Sequence, residues 1–252
     1  MAMTIEQTLA GSALFGKHVI SRIHGTGSTN DDLKREWDKS HVKQQIRIAE
    51  FQTAGRGQHG HSWQALPGQS LLFSFSLQDL RQEFPLSLIA GLALKIALKP
   101  LLKVVDPALW LKWPNDIWLG RGKLAGILCE SSRFRDEVHW VIGLGLNLKP
   151  LGDSAIASAS LSDVDSSCDS ELILYNFFVA FEELVAKDPA SLVEEWTNAA
   201  ALFWQTEFLV SCGDTPEFRS KPLFLEQDGM LVLTTGNEKS RRLLSATLKP
   251  VF

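Results

Sequence analysis

Apolar and polar positions change rhythm often enough along this chain to mark most of its elements. Residues 19–23 predict a short strand. Ser28-Thr29-Asn30-Asp31 then predicts a helix start, with Ser28 as N-cap and an acidic residue three positions on. Residues 46–51 predict a second strand, which feeds a glycine-rich loop over 53–60, and residues 71–77 alternate as a third strand does. Pro85 opens an amphipathic helix, and Pro100 should end it. Lys95, Lys99 and Lys103 recur every four residues there, the spacing of one wet stripe.

Short strand-like runs follow at 109–113, 117–119, 124–130 and 138–148, with a Gly120-Arg121-Gly122 turn between the second and third. Their close spacing favours antiparallel hairpins over crossover helices. Residues 152–170, rich in Ser, Asp and Ala, read as a mobile loop. A helix is expected over 171–187, and Asp188-Pro189 caps another that runs to about residue 202. Beyond Trp204 the pattern turns to short β runs at 207–211, 223–226, 230–234 and 243–248, with Gln227-Asp228-Gly229 as a hairpin turn. The expected architecture is α+β: a mixed, largely antiparallel sheet with helices over 1–204, then a small β module over 205–252.

Composition narrows the class without naming a function. The 252 residues are 45% hydrophobic and 21% charged, values of a globular chain able to bury a core without metal or disulfide staples. The formal net charge of −4 and a pI near 5.9 argue against a dedicated nucleic-acid binder. Cys129, Cys168 and Cys212 are too scattered for a structural zinc site and fit reduced thiols in the cytoplasm. The N-terminus lacks the pattern of a signal peptide, and the most apolar stretch, 86–105, is broken by its lysines, so no membrane span is expected.

Two segments carry chemistry. Gly55-Arg56-Gly57-Gln58-His59-Gly60 fits a dinucleotide fingerprint, but that fingerprint needs a helix to start at the loop, and Pro67-Gly68 follows instead. What survives is an anion loop, with backbone N–H groups free to converge and Arg56 adding a fixed charge. His59 and His61 lack a third metal ligand nearby in sequence. The second segment, Lys112-Trp113-Pro114-Asn115-Asp116, puts a cation, an aromatic ring, an amide and a carboxylate at a forced bend. Lys123 starts the returning strand, so Lys112, Asp116 and Lys123 can share one neighbourhood.

Taken together, the chain resembles biotin protein ligases. The resemblance rests on Ser28-Thr29-Asn30, on Gln52-Thr53-Ala54-Gly55-Arg56-Gly57 with Trp63 downstream, and on Lys112-Trp113-Pro114-Asn115-Asp116. Lys123-Leu124-Ala125-Gly126-Ile127-Leu128 with Glu130, and Gly143-Leu144-Gly145-Leu146-Asn147, complete it in the family's order and spacing. The resemblance implies a catalytic core related to class II aminoacyl-tRNA synthetases, an SH3-like tail, and two half-reactions in one site. Biotin and ATP, with Mg²⁺, would give biotinyl-5′-AMP, and a lysine of a biotin carboxyl carrier protein would then take the biotin.

By motif, Ser28, Thr29, Asn30 and Gln52 should hold biotin's ureido ring. Gly55, Arg56, Gly57 and Gln58 should close over its carboxylate and the phosphate, with Gly126 lining the pocket. Lys123 should bridge the carboxylate and the α-phosphate. Lys112 should neutralise phosphate, and Asn115, Asp116 and Asn147 should serve the nucleotide, Mg²⁺ or the incoming lysine. Trp63 and Trp113 could pack on the ring systems or in the core.

The chain departs from the family at Gln58, usually arginine, and at His61, commonly basic, which implies weaker retention of the adenylate. About 27 residues precede Ser28, too few for the helix-turn-helix of the family's repressor members, so a ligase-only form without nucleic-acid binding is expected. The alternatives are a lipoate or octanoate ligase of similar fold and a non-catalytic biotin- or nucleotide-binding regulator. An exposed edge strand could pair two copies into a homodimer.

Overall fold

The computed structural model describes residues 4–40, 44–102, 109–134, 136–150, 157–164, 169–213, 215–235 and 239–252. A short helix α1 (Ile5–Leu9) precedes β1 (Val19–Thr26), α2 (Thr29–Ser40), β2 (Gln45–Gln52), β3 (Ser70–Gln78) and α3 (Leu86–Leu98). Then come β4 (Leu109–Lys112), β5 (Asp116–Leu119), β6 (Gly122–Phe134) and β7 (Glu137–Asn147). These seven strands make one sheet in the order β1-β2-β3-β7-β6-β5-β4. Only β1 and β2 are parallel, joined through α2; the other pairs are antiparallel, as the short connections require.

The two faces of the sheet have different jobs, and the register shows how they are divided. On one face Phe73 and Phe75 of β3 meet Phe177, Phe178 and Phe181 of α4 (Ser170–Val185) in edge-on and tilted pairs, with ring centroids 5.0–5.9 Å apart. Phe15 packs into the same cluster, 4.7 Å from Phe178. α4 covers this face and α2 packs on the opposite one, so β3 is buried on both sides rather than half-wet as its alternation predicts.

Covering also corrects the lysine stripe. Lys95 is buried, and its Nζ donates at 2.6 Å to the carbonyl of Ala199, which ends α5 (Pro189–Ala199). A cation at a helix C-terminus meets carbonyls that lack helical partners, which is why a lysine is tolerated there. Lys103 lies outside the described residues. Pro85 is the N-cap of α3 rather than its first residue, and a single 3₁₀ turn over Lys99–Leu101 ends the helix at Pro100.

The expected helix after Asp188 breaks at Ala200 and resumes as α6 (Ala201–Gln205). Part of the expected mobile loop, 152–156 and 165–168, lies outside the described residues. Residues 157–164 are packed: Leu161 is buried, and Lys123 N–H donates to Ala157 while its carbonyl accepts from Ala159.

The tail folds as two three-stranded sheets. One contains β8 (Glu207–Ser211), β9 (Phe218–Ser220) and β13 (Thr247–Val251); the other contains β10 (Pro222–Leu225), β11 (Leu231–Thr235) and β12 (Lys239–Leu243). The run expected at 243–248 is therefore two strand ends around a turn, and β9 was not foreseen. Three residues of β9 give too short an alternation to read. Leu225, Leu231, Leu233, Leu243 and Leu248 of the tail join the same apolar core as the large sheet.

Phe178 touches four other aromatic rings at the centre of the helix-covered face. Phe178→Ala should lower the unfolding free energy by about 3–5 kcal/mol, read as a shift of the urea midpoint at unchanged slope.

Candidate functional site

The other face of the sheet gathers the motif residues, and strand register does the gathering. Lys112 pairs with Asp116, Asp116 with Gly126, Gly126 with Gly145 and Gly145 with Leu72. Directly opposed residues point to the same side, so this row crosses five neighbouring strands on one face. A second row runs from Leu128 through Gly143 to Ser74, and a third joins Asn147 to Ser70.

Lys123 would point away from this face in a regular strand. The register of β5 and β6 shifts between Ile117 and Trp118, so that Leu124 is left over and Lys123 lies opposite Trp118. This bulge returns Lys123 to the side of Asp116 and Gly126.

Glycines make the floor. A Cβ on Gly145 would drive into the Trp63 indole, one on Gly126 would sit 2.9 Å from the same ring, and one on Gly143 would collide with the Asn30 carboxamide. Trp63 lies flat on the two glycines with Lys123 Nζ 5.5 Å from its ring centroid, and its Nε1 is buried without a partner. Trp113, by contrast, is core: it is fully buried, follows Lys112 and precedes Pro114 through a cis peptide bond.

The start of α2 stands over this floor. Thr29 donates to Gln52 Oε1 from both its backbone N–H, at 2.7 Å, and its hydroxyl, at 2.9 Å. Ser74 Oγ lies 2.6 Å from both Thr29 Oγ1 and Asn30 Oδ1 and shares its one proton between them. Asn30 Nδ2 donates to Glu130 at 2.9 Å and to the Leu128 carbonyl at 3.2 Å. Ser28, Thr29 and Asn30 are all buried, and this network fixes their rotamers. The Ser28 cap is loose, its hydroxyl 3.5 Å from Asp31 N.

The glycine loop is tighter than its composition suggests. Trp63 N–H donates to the Gly55 carbonyl, Gly57 N–H donates to His61 at 2.6 Å, and Gln58–Gly60 form one 3₁₀ turn. The Gly57 N–H is thus committed inside the loop, which corrects the expectation of consecutive free donors. Arg56 reaches across to Glu130 and lies 3.3 Å from Asp31.

Two ion clusters result. Asp116, almost wholly buried, lies 2.9 Å from Lys112 Nζ and 2.6 Å from Lys123 Nζ. Burial alone would raise its pKa, but the two ammonium groups outweigh that and hold it at about 2, against 3.8 for an ordinary aspartate. The second cluster centres on Glu130, bonded to Arg56, Asn30 and Lys34. Burial raises its pKa, and those three partners bring it below the ordinary value. Glu130 and Ser74 went unassigned as site residues; the motif spacing held Glu130, but nothing local in the sequence marks its partners.

Asn115 and Asn147 act first as clamps. Asn115 Nδ2 donates to Ile127 at 2.8 Å, and Asn147 Nδ2 donates to the carbonyls of Lys123 and Ala159. Asn147 Oδ1 stays buried and unpartnered, as does the hydroxyl of Ser70 beside it, so acceptors are left for a ligand at this edge. Among the described residues, no three His, Cys, Asp or Glu side chains gather as a metal site. The residues assigned to the pocket and phosphates thus come from the sheet face, the start of α2 and the glycine loop.

A family model for the biotin/lipoate A/B protein ligase family matches residues 23–147. The chain is 40% identical over 128 residues to the biotin–[acetyl-CoA-carboxylase] ligase of Mycobacterium tuberculosis, covering 49% of this chain and 47% of that protein. It is 28% identical over 214 residues to the bifunctional ligase/repressor BirA of Escherichia coli, covering 77% and 65%. The chain thus spans about half the length of the first relative and just under two thirds of the second. The solved biotin protein ligase of Aquifex aeolicus in complex with biotin and ATP superposes with a TM-score of 0.73 at 22% identity, over 92% of this chain and 99% of that one, a likeness of fold.

The ion cluster predicts a pH signature. Because its folded pKa is depressed, Asp116 contributes stability that is complete above about pH 4 and lost as pH falls through about 2. Asp116→Asn should lower the unfolding free energy by about 2 kcal/mol at pH 7, with the gap to wild type closing between pH 4 and pH 2 in urea titrations. A gap that is constant with pH would contradict the pairing.

Proposed function

We propose that the chain, which matches the biotin/lipoate A/B protein ligase family over residues 23–147, activates biotin with ATP and transfers it to a lysine of a biotin carboxyl carrier protein. The observation that carries the reading is the single sheet face on which Lys112, Asp116 and Lys123 adjoin a glycine floor and the Arg56 loop. Joining a carboxylate to a phosphate brings two anions together, and fixed cations in a partly closed site offset their repulsion.

In the first step a biotin carboxylate oxygen attacks the α-phosphorus of ATP, and pyrophosphate leaves. Lys123 bridges the two anions, and Lys112 neutralises phosphate from behind. Arg56, with Gly55, Gly57 and Gln58, covers the reacting groups and keeps water from the mixed anhydride. Thr29 and Gln52, backed by Ser28 and Asn30, face the ureido ring; Gly126 and Trp63 line the pocket. Asn115 and Asn147 face the nucleotide.

In the second step the acceptor amine attacks the acyl carbonyl, and AMP leaves. Ligand anions that engage Lys112 and Lys123 draw them from Asp116, whose carboxylate is then placed to hold the incoming ammonium and take its proton. Asp116 is the carboxylate that would help hold Mg²⁺, which would supply further neutralisation of phosphate charge. We place the chemistry in residues 1–204, treat 205–252 as an adjunct, and assign the protein to the cytoplasm; among the described residues no helix is long and apolar enough to cross a membrane.

Incubation with biotin, ATP, Mg²⁺ and a biotin carboxyl carrier domain should add the mass of one biotinyl group to one carrier lysine. No transfer would overturn the reading, and a melting-temperature shift with lipoate but not biotin would redirect it. Lys123→Ala should leave the circular dichroism spectrum unchanged and slow pyrophosphate release by at least a hundredfold, a loss of about 2.7 kcal/mol in the transition state. Gln58→Arg should slow the dissociation of biotinyl-AMP about tenfold by adding a charge-assisted contact; equal rates would remove Gln58 as the cause of weak retention.

A further inference from the structure

The tail touches the body at the segments that carry the site. In the β10–β11 turn the Gly229 carbonyl accepts a hydrogen bond from Trp113 Nε1 at 3.1 Å. Gly229 has φ 77, and a Cβ there would collide with Pro85, so the turn is wedged between α3 and the Lys112–Asp116 bend. The ring of Phe252 lies 6.2 Å from that of Trp118 and 5.2 Å from the Arg121 guanidinium, on the hairpin that leads into Lys123.

A third contact reaches the other side of the site. Ser245 Oγ, in the turn between β12 and β13, shares a hydrogen bond with His59 Nε2 at 3.2 Å. His59 sits in the glycine loop at φ 54 and ψ 33, a left-handed conformation uncommon for a residue with a side chain. A cavity of about 430 Å³ opens between this turn, the loop, Leu128 and Glu130. The loop therefore has room to move on that side, and Ser245 is a tie across the gap.

We propose that the tail is a positioning clamp, which sets the Arg56 loop against the hairpin bearing Lys112, Asp116 and Lys123. Gly229 and Phe252 grip the hairpin through Trp113 and Trp118, and Ser245 holds the loop through His59. Ser245 touches none of the groups assigned to biotin or ATP, so it is a positioning residue. The link from loop position to adenylate retention rests on the ligase reading above; the contact between tail and loop does not.

Ser245 is exposed, so its substitution leaves the core untouched. The full-length wild type, Ser245→Ala and Ser245→Thr are compared by amide hydrogen exchange of peptides covering 53–62 without ligand, and by release of biotinyl-AMP. Alanine should speed exchange in that segment about fivefold, the effect of one hydrogen bond of ordinary strength, and speed adenylate release by a similar factor. Threonine should restore both, and the melting temperature should stay within a degree in all three. Equal exchange in the three proteins overturns the clamp. Exchange that responds while release does not confines the clamp to loop order and overturns its part in the reaction. If wild type forms no biotinyl-AMP while exchange still responds, the ligase reading falls and the clamp stands.

Discussion

The site is organised around one buried carboxylate that holds two ammonium groups. Lys112 and Asp116 are both almost entirely removed from water, and neither charge would be tolerated there alone. Removing Asp116 would strand a buried lysine, so the strand pair β4–β5, the bend through Pro114 and the bulge in β6 must all be right together. The arrangement holds two positive charges side by side, with the carboxylate between them offsetting their repulsion. The same device appears at the loop, where Glu130 holds Arg56 and Lys34. A net charge of −4 is compatible with an anion site because the cations are concentrated locally and each has a resident counter-charge.

The second constraint is space. Three glycines on β6 and β7 remove side chains from the one patch of sheet over which an aromatic ring and a carboxamide must lie. The helix-covered face does the opposite and is filled mainly by Leu, Ile and Phe. The division lets one strand serve two purposes: β7 alternates Ile142, Leu144 and Leu146 toward the core with Gly143, Gly145 and Asn147 toward the site. Rigidity comes from the first set and room from the second.

Much of this was legible in the sequence. The motif segments were found where they lie, because their polar residues interrupt strong apolar patterns at turns. The α+β class and the antiparallel hairpins followed from short spacings. What local pattern could not give is burial imposed from outside. Lys95 keeps a helical spacing that looks wet, yet α5 covers it and supplies an acceptor. The strand β9 is too short for a rhythm, and the turn within 243–248 lacks glycine or proline. Glu130 and Ser74 earn their places through partners 100 and 44 residues away in the chain, which periodicity does not reach. The Gly57 N–H was expected to face an anion, but a hydrogen bond to His61 within the loop claims it.

The bulge in β6 carries a consequence beyond geometry. Lys123 faces the site only because one residue, Leu124, is left without a partner on β5. A one-residue slip that paired Leu124 with Trp118 would complete the ladder and add a regular pair, a change that favours the strand as a strand. It would also turn the lysine amine toward the apolar side and away from Asp116. Regular pairing and the placement of the lysine amine are therefore incompatible in this sequence, and the irregular strand is the arrangement that keeps the amine beside Asp116.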